Sequence, residues 1–206
     1  MSPAAARLFN AAGLFGLSGI LLVAFGYQFV RGELPCPLCL LQRAAFAAAG
    51  VGLALNLCLG SRPAHYAVTI ISAVAGALIA GRQVLLHIVP GSGAYGSALF
   101  GLHFYTWALI AFMLIVCAAA FMLLFERQFA VAPADDRVLH RVRDDSRMLH
   151  RAGDDSGMGR RIGHAAVLLF LILVFANAVL TFAECGLGLC PDNPTNYQLF
   201  SGGGLW

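Results

Sequence analysis

Lysine is absent from this 206-residue chain, and all 13 basic residues are arginine, so its positive charges are permanent. Charge of either sign is scarce, at 11% of residues, where soluble domains carry about 25%. That scarcity excludes a water-soluble globule and a disordered chain. A net charge of +3 provides no basic surface for nucleic acid. Six cysteines in 206 residues are too few for a disulfide-stapled mini-protein, so their positions matter more than their number. What is plentiful is apolar: 60% of the residues, with a mean hydropathy of +0.80.

The apolar residues fall into five stretches of the length that crosses a bilayer, about 20 residues each. Between Arg7 and Arg31 lie 23 uncharged residues; between Arg43 and Arg62 lie 18, extended outward by residues 38–41. A third stretch, 66–89, is interrupted by Arg82 and His87, and the others are 104–125 and 165–183. The first is too long for a signal-peptide core and has no convincing small-residue cleavage site, which predicts a retained helix. The pattern predicts an all-α integral membrane protein, a four-helix transmembrane bundle followed by a fifth, C-terminal transmembrane helix. The organisation expected is a bundle over 1–126, a charged segment over 127–163, and a fifth span with an outer tail over 164–206.

Polarity is concentrated in residues 126–163, which hold eight of the 13 arginines and seven of the ten acids. A weak duplication runs through it, with residues 135–141 echoed at 144–151. A solvated linker or short helix laced with ion pairs accounts for this composition; a metal site at His140 and His150 is the sharper alternative, and no metal ligand is assigned. Arginine in short loops favours the cytoplasm. With the N-terminus inside, Arg7, Arg62 and the eight of the polar segment are cytoplasmic, and the opposite side receives Arg31. Five spans then place the C-terminus outside. Tyr105 and Trp107 fall at the outer end of the fourth span, where an aromatic belt is expected.

This topology, set by arginine alone, puts two cysteine pairs on one face: Cys36 and Cys39 between the first two spans, and Cys185 and Cys190 just after the fifth. In a bacterium that face is the oxidising periplasm. Cys58 and Cys117 fall singly within spans and are expected to be small buried apolar side chains. A Cys-x-x-Cys can be redox-active, half of a metal site or a structural disulfide, and two pairs together could supply four zinc ligands. Cys39 stands at the start of the second helix, where free N–H groups and the helix dipole favour a thiolate. Arg43 follows one turn deeper on the same face. A permanent cation there suits a thiolate that must persist long enough to react, and equally an oxygen of a quinone head group. In the third span Arg82 is costly at its depth, while Gln83 and His87, four apart, share a helix face. The loop 185–190 contains two glycines and leads into a turn-rich tail, so it either presents a disulfide to a partner or ties off the chain end.

The stretch Pro35-Cys36-Pro37-Leu38-Cys39-Leu40-Leu41-Gln42-Arg43 resembles the DsbB family of membrane thiol oxidases, and Arg82-Gln83-Val84-Leu85-Leu86-His87 is similar to the corresponding part of that family's third span. The resemblance implies an inner-membrane enzyme that reoxidises a periplasmic DsbA-like thioredoxin-fold dithiol and passes electrons to the membrane quinone pool, ubiquinone or menaquinone. It makes Cys36 and Cys39 the quinone-coupled pair, with Cys39 nearest the quinone and Arg43 its polar partner. Arg82, Gln83 and His87 are further candidates for holding the quinone. The family's usual second pair lies between the third and fourth spans. Here that loop, 90–103, is short and has no cysteine, and Cys185 and Cys190 are the expected replacement. A non-catalytic protein with structural disulfides or a zinc site is the alternative.

Overall fold

The computed structural model describes residues 1–89, 93, 95–129, 146–191 and 194–199, with backbone alone for 146–156. Among these, five helices are long and apolar enough to cross a membrane. They are α1 (Pro3–Val30), α2 (Pro37–Leu59), α3 (Pro63–Leu86), α4 (Phe104–Leu123) and α5 (Ser146–Cys185), the last apolar from Gly157 onward. A short antiparallel ladder, β1 (Ala98–Leu99) with β2 (Leu102–His103), precedes α4. The first three helices open on proline, whose fixed φ and missing N–H suit the first helical position.

The connections from α1 to α2 and from α2 to α3 are short, so these helices run antiparallel. α2 lies between α1 and α3, α4 packs on α3 and touches α2, and α5 packs on α1 and α2. Gly50, Gly52 and Gly76 permit the closest approaches between helices. A Cβ on Gly52 would lie 2.3 Å from the His65 carbonyl oxygen and from Thr69 Oγ1, so only glycine lets α2 and α3 meet there. A Cβ on Gly50 would lie 2.3 Å from the ring of the buried Phe170, which seats α5 against α2. The interior is filled by Leu14, Leu21, Phe25 and Phe170 on one side and by the stacked rings of Phe46 and Phe112, 3.9 Å apart, on the other.

The distribution of polarity is that of a membrane protein. Leu78 and Phe175 are each 72% exposed on helix exteriors, whereas Asn10, Gln28, Gln42, Asn56, Gln83 and Glu184 are buried. A bilayer accommodates the apolar exterior, and hydrogen bonds satisfy most of the polar interior. At the end of the bundle remote from the paired cysteines, Asn10 donates to Tyr66 Oη (2.8 Å), Asn56 donates to Asn10 Oδ1 (3.0 Å), and Tyr66 donates to Gln128 Oε1 (3.0 Å), which clips α1, α2 and α3 to the segment after α4.

Several expectations are revised. The third helix begins at Pro63 rather than 66 and ends at Leu86, so His87 caps it instead of lying in the span. The fifth helix runs unbroken through residues 163 and 164, because the part from Ser146 onward continues the helix rather than forming a separate linker. His140 lies outside the described residues, and His150 is described by its backbone alone. Cys58 and Cys117 are exposed, not buried: each falls on the outward face of its helix, where a small thiol meets the same apolar surroundings that lipid provides. Tyr105 faces inward, 6% exposed, because its ring stacks between His87 and His103; Trp107 alone stays at the surface.

Candidate active site

Cys36 and Cys39 form a disulfide with Cα atoms 4.9 Å apart. Cys36 is the N-cap of α2, and its Sγ accepts the Cys39 backbone N–H at 3.1 Å. The Pro37 that opens the helix therefore also fixes the pair at its positive end. From α3, the buried Gln83 amide donates toward both sulfurs, at 3.4 Å to Cys36 Sγ and 3.7 Å to Cys39 Sγ. Gln83 is itself held by Gln42, whose Nε2 donates to Gln83 Oε1 at 2.7 Å. His87 Nδ1 lies 2.8 Å from the Gln83 carbonyl oxygen. The disulfide is thus embedded in donors on one side.

On its other side lies a cavity of about 470 Å³ between α1, α2 and α4, roofed by the loop after α3. Cys39 and Arg43 line it together with Tyr27, Phe46, Tyr105 and Trp107. Arg43 is anchored by Nη1 on Gln28 Oε1 (2.6 Å) and Nη2 on the Ala24 carbonyl (3.1 Å), and its guanidinium lies 5.6 Å from the Phe25 ring centre. The roof is tied down by Tyr95, which donates to the Leu34 carbonyl (2.8 Å), and by Glu33, which accepts from the Ser97 backbone N–H (3.1 Å) and from its hydroxyl. Burial, then the negative charges of Glu184 and Glu33, raise the Tyr95 hydroxyl above its usual pKa of 10.0.

Cys185 and Cys190 form the second disulfide, with Cα atoms 4.5 Å apart, where α5 ends. Cys185 is 5% exposed and Cys190 is half-buried. Beyond it the chain turns back: Leu199 N–H donates to the Ala183 carbonyl (3.1 Å), and Gln28 Nε2 donates to Tyr197 Oη (3.0 Å). Gln28 therefore joins the C-terminal tail to Arg43. Both cysteine pairs lie at one end of the bundle.

A family model described as disulfide bond formation protein DsbB matches residues 6–94. Residues 6–94, the DsbB-family region, are similar to that family. Among curated proteins, disulfide bond formation protein B of Marinobacter nauticus is 40% identical over 86 residues, covering 37% of this chain and 51% of that protein. The proteins of the same name from two strains of Xylella fastidiosa are each 35% identical over 83 residues, covering 38% of this chain and 48% of theirs. The chain thus matches about half the length of these relatives. No solved structure matches.

The DsbB-family region contains Cys36, Cys39, Arg43, Arg82, Gln83 and His87, but the structure does not bring all of them to the cavity. Arg43 and Cys39 line it. Gln83 lies on the opposite side of the disulfide, against the sulfurs. His87 stacks on Tyr105, with ring centres 5.2 Å apart, and Arg82 is exposed on the exterior of α3. Sequence reasoning missed Gln28, Gln42, Tyr95, Tyr197 and Glu184. The available signal was that each is a polar residue in or beside an apolar run, and Glu184 is the one acid within the five apolar helical spans.

Proposed function

We propose that the chain is a thiol:quinone oxidoreductase of the bacterial inner membrane, with its N-terminus cytoplasmic and its C-terminus periplasmic, which reoxidises a DsbA-like thioredoxin-fold dithiol. The observation that carries this reading is that a disulfide sulfur, Cys39, and a half-buried cation, Arg43, line one largely apolar cavity. Its aromatic walls and volume fit a quinone head group, with Arg43 as the donor to a quinone oxygen. Ubiquinone or menaquinone, when bound, supplies a two-electron, two-proton acceptor.

The chain's own residues supply the exchange steps. A thiolate of the reduced partner attacks Cys190, the more accessible sulfur, and the Cys185–Cys190 bond breaks as a mixed disulfide forms. The partner's second thiolate resolves that bond, leaves as its own disulfide, and returns Cys190 as a thiolate. The reduced C-terminal pair then attacks Cys36–Cys39 by the same chemistry, one S–S bond breaking for each one formed. The two electrons now reside on the Cys36/Cys39 pair. Cys36, under the helix N-terminus and Gln83, is held for exchange, while Cys39 faces the cavity. Arg43 stabilises a Cys39 thiolate by opposite charge.

Purified protein is expected to reduce a short-chain ubiquinone when supplied with a reduced thioredoxin-fold dithiol partner. Cys39→Ser should abolish this, and quinone-dependent oxidation that survives the change refutes the relay. Given a reduced partner that keeps only its attacking cysteine, the intact protein should accumulate a mixed disulfide with Cys190, visible by non-reducing electrophoresis and peptide mass spectrometry, whereas Cys185→Ser, which has no second disulfide for the partner to open, should not turn over. Normal turnover by that variant would make the second pair a structural bridge.

A further inference from the structure

Gln28 is a buried polar side chain in the last turn of α1, and no step of the relay uses it. It is 3% exposed, and its amide faces side chains from two other parts of the protein. Its Oε1 accepts from Arg43 Nη1 at 2.6 Å, and its Nε2 donates to Tyr197 Oη at 3.0 Å. Chemistry dictates that orientation. A guanidinium has donors and no acceptor, so the amide atom that meets Arg43 must be the oxygen. The NH₂ group is then turned toward Tyr197, whose hydroxyl accepts from it. Without that hydroxyl, the orientation that serves Arg43 would leave a buried donor unsatisfied, which is costly. Tyr197 is itself held by the residues that follow it: the Gln198 and Leu199 amides donate to the Glu184 and Ala183 carbonyls, at 3.4 and 3.1 Å.

We propose that Tyr197, acting through Gln28, is a positioning residue for Arg43, so that the C-terminal tail sets how tightly the cavity holds the oxygen of an electron acceptor. The inference rests on the quinone reading of the cavity. Arg43 lines the cavity beside Cys39, whereas Gln28 and Tyr197 do not line it. The second anchor of Arg43, the Ala24 carbonyl at 3.1 Å from Nη2, also belongs to α1. Both acceptors are neutral, so they fix the guanidinium without cancelling its charge and leave donors for an oxygen in the cavity. A long arginine side chain loses much rotamer freedom when it is fixed, and a guanidinium already held spares the ligand that cost. Tyr197 lies beyond the DsbB-family region. The tail that carries the second cysteine pair therefore also shapes the site where, on the proposed function, electrons leave.

The test reads binding directly. Trp107 lines the cavity, and the chain has one other tryptophan, Trp206, so a Trp206→Phe parent reports on the cavity through Trp107 fluorescence. Titration of the full chain in detergent with a short-chain benzoquinone should give saturable quenching. Tyr197→Phe should raise the Kd roughly fivefold, as expected when one hydrogen bond to a charged group loses its alignment. The KM for quinone should rise by the same factor, with a smaller change in kcat. Gln28→Glu supplies a background in which a carboxylate accepts from Arg43 and has no amide hydrogens to satisfy. There Tyr197→Phe should change the Kd by less than about twofold, and in an Arg43→Gln background it should have no further effect. A hydroxyl that merely anchored the tail would lower the thermal midpoint in every background and leave the Kd unmoved. An unchanged Kd in Tyr197→Phe overturns the positioning role, as does an equal loss of affinity in the Gln28→Glu or Arg43→Gln background. Absence of saturable quenching in the parent overturns instead the quinone reading of the cavity, and this inference with it.

Discussion

Gln83 donates toward both sulfurs of the N-terminal pair, so replacing it should change the potential of that pair in a calculable direction. A disulfide sulfur is a weak acceptor, whereas a thiolate is a strong one. The amide at 3.4 Å from Cys36 Sγ and 3.7 Å from Cys39 Sγ therefore stabilises the reduced, ionised state more than the oxidised state. A hydrogen bond to a charged group contributes about 1.5–3 kcal/mol. The sulfur distances are long, which places this one at about 1.5 kcal/mol or a little below. For a two-electron couple about 1.4 kcal/mol corresponds to about 30 mV. Gln83→Met, which preserves volume and removes the donor, should make Cys36–Cys39 harder to reduce by roughly 30 mV. The variant also leaves the Gln42 amide without its acceptor, a loss common to both redox states that cancels in the potential. The assay equilibrates the protein against graded thiol buffers, alkylates the free thiols and quantifies the 36–39 peptide by mass spectrometry. A potential unchanged within about 10 mV, or shifted upward, in a variant that retains its thermal transition would refute the argument that Gln83 favours the thiolate.

Arg43→Ala should raise the KM for quinone by at least tenfold, about 1.4 kcal/mol of lost interaction, with a smaller effect on the thermal midpoint; steady-state kinetics at varied quinone measure it. Gly50→Ala should destabilise the packing of α5 on α2 by about 1–3 kcal/mol, because Phe170 is buried and cannot move aside. Thermal unfolding in detergent reads that loss, together with slower electron transfer from the second pair to the first. Tyr197→Phe removes the acceptor for Gln28 Nε2 and should speed hydrogen exchange at the Leu199 amide, at a cost of about 1 kcal/mol. Tyr95 carries the pH dependence of the roof. Its pKa is raised in the folded protein, so the unfolded chain ionises first, and stability is fully present below pH 10 and declines as pH rises through the folded value. Alkaline titration followed by tyrosinate absorbance should show this transition, and Tyr95→Phe should lack it.

Five spans, their approximate limits and the placement of both cysteine pairs at one end were legible because a bilayer imposes a length and an apolar composition that charge positions disclose. Arg43 was legible for the same reason: a permanent cation one turn below Cys39 is costly in an apolar run unless a thiolate or a ligand oxygen uses it. Arg82 and Gln83 show where that logic stops. They are neighbours in sequence, but a 100° step around the helix turns Gln83 to the sulfurs and leaves Arg82 outside. Hydropathy ranks the arginine as the more conspicuous of the two, and only the rotation of α3, set by close approaches such as that at Gly52, decides between them. Cys58 and Cys117 misled for a related reason, since in a membrane an apolar residue gains little by facing inward. Tyr197 was illegible because its partner, Gln28, lies 169 residues away.

The arrangement gives the residues beyond the DsbB-family region a physical reason to be where they are. A relocated cysteine pair on a free tail would reach Cys36–Cys39 only by diffusion of the tail. Here the tail is fixed at three points: Phe170 seated at Gly50, the Ala183 and Glu184 carbonyls accepting the Leu199 and Gln198 amides, and Tyr197 on Gln28. Each lies on or beside the shell around Arg43, or on the helix that carries it. Fixing the tail reduces the entropy that bringing two disulfides together would otherwise cost. The loop closed by Cys185 and Cys190 stands out from the bundle, with Leu187 and Leu189 83% and 95% exposed. Anchoring is thus placed where two parts of one chain meet, and exposure where, on the proposed function, a separate protein docks.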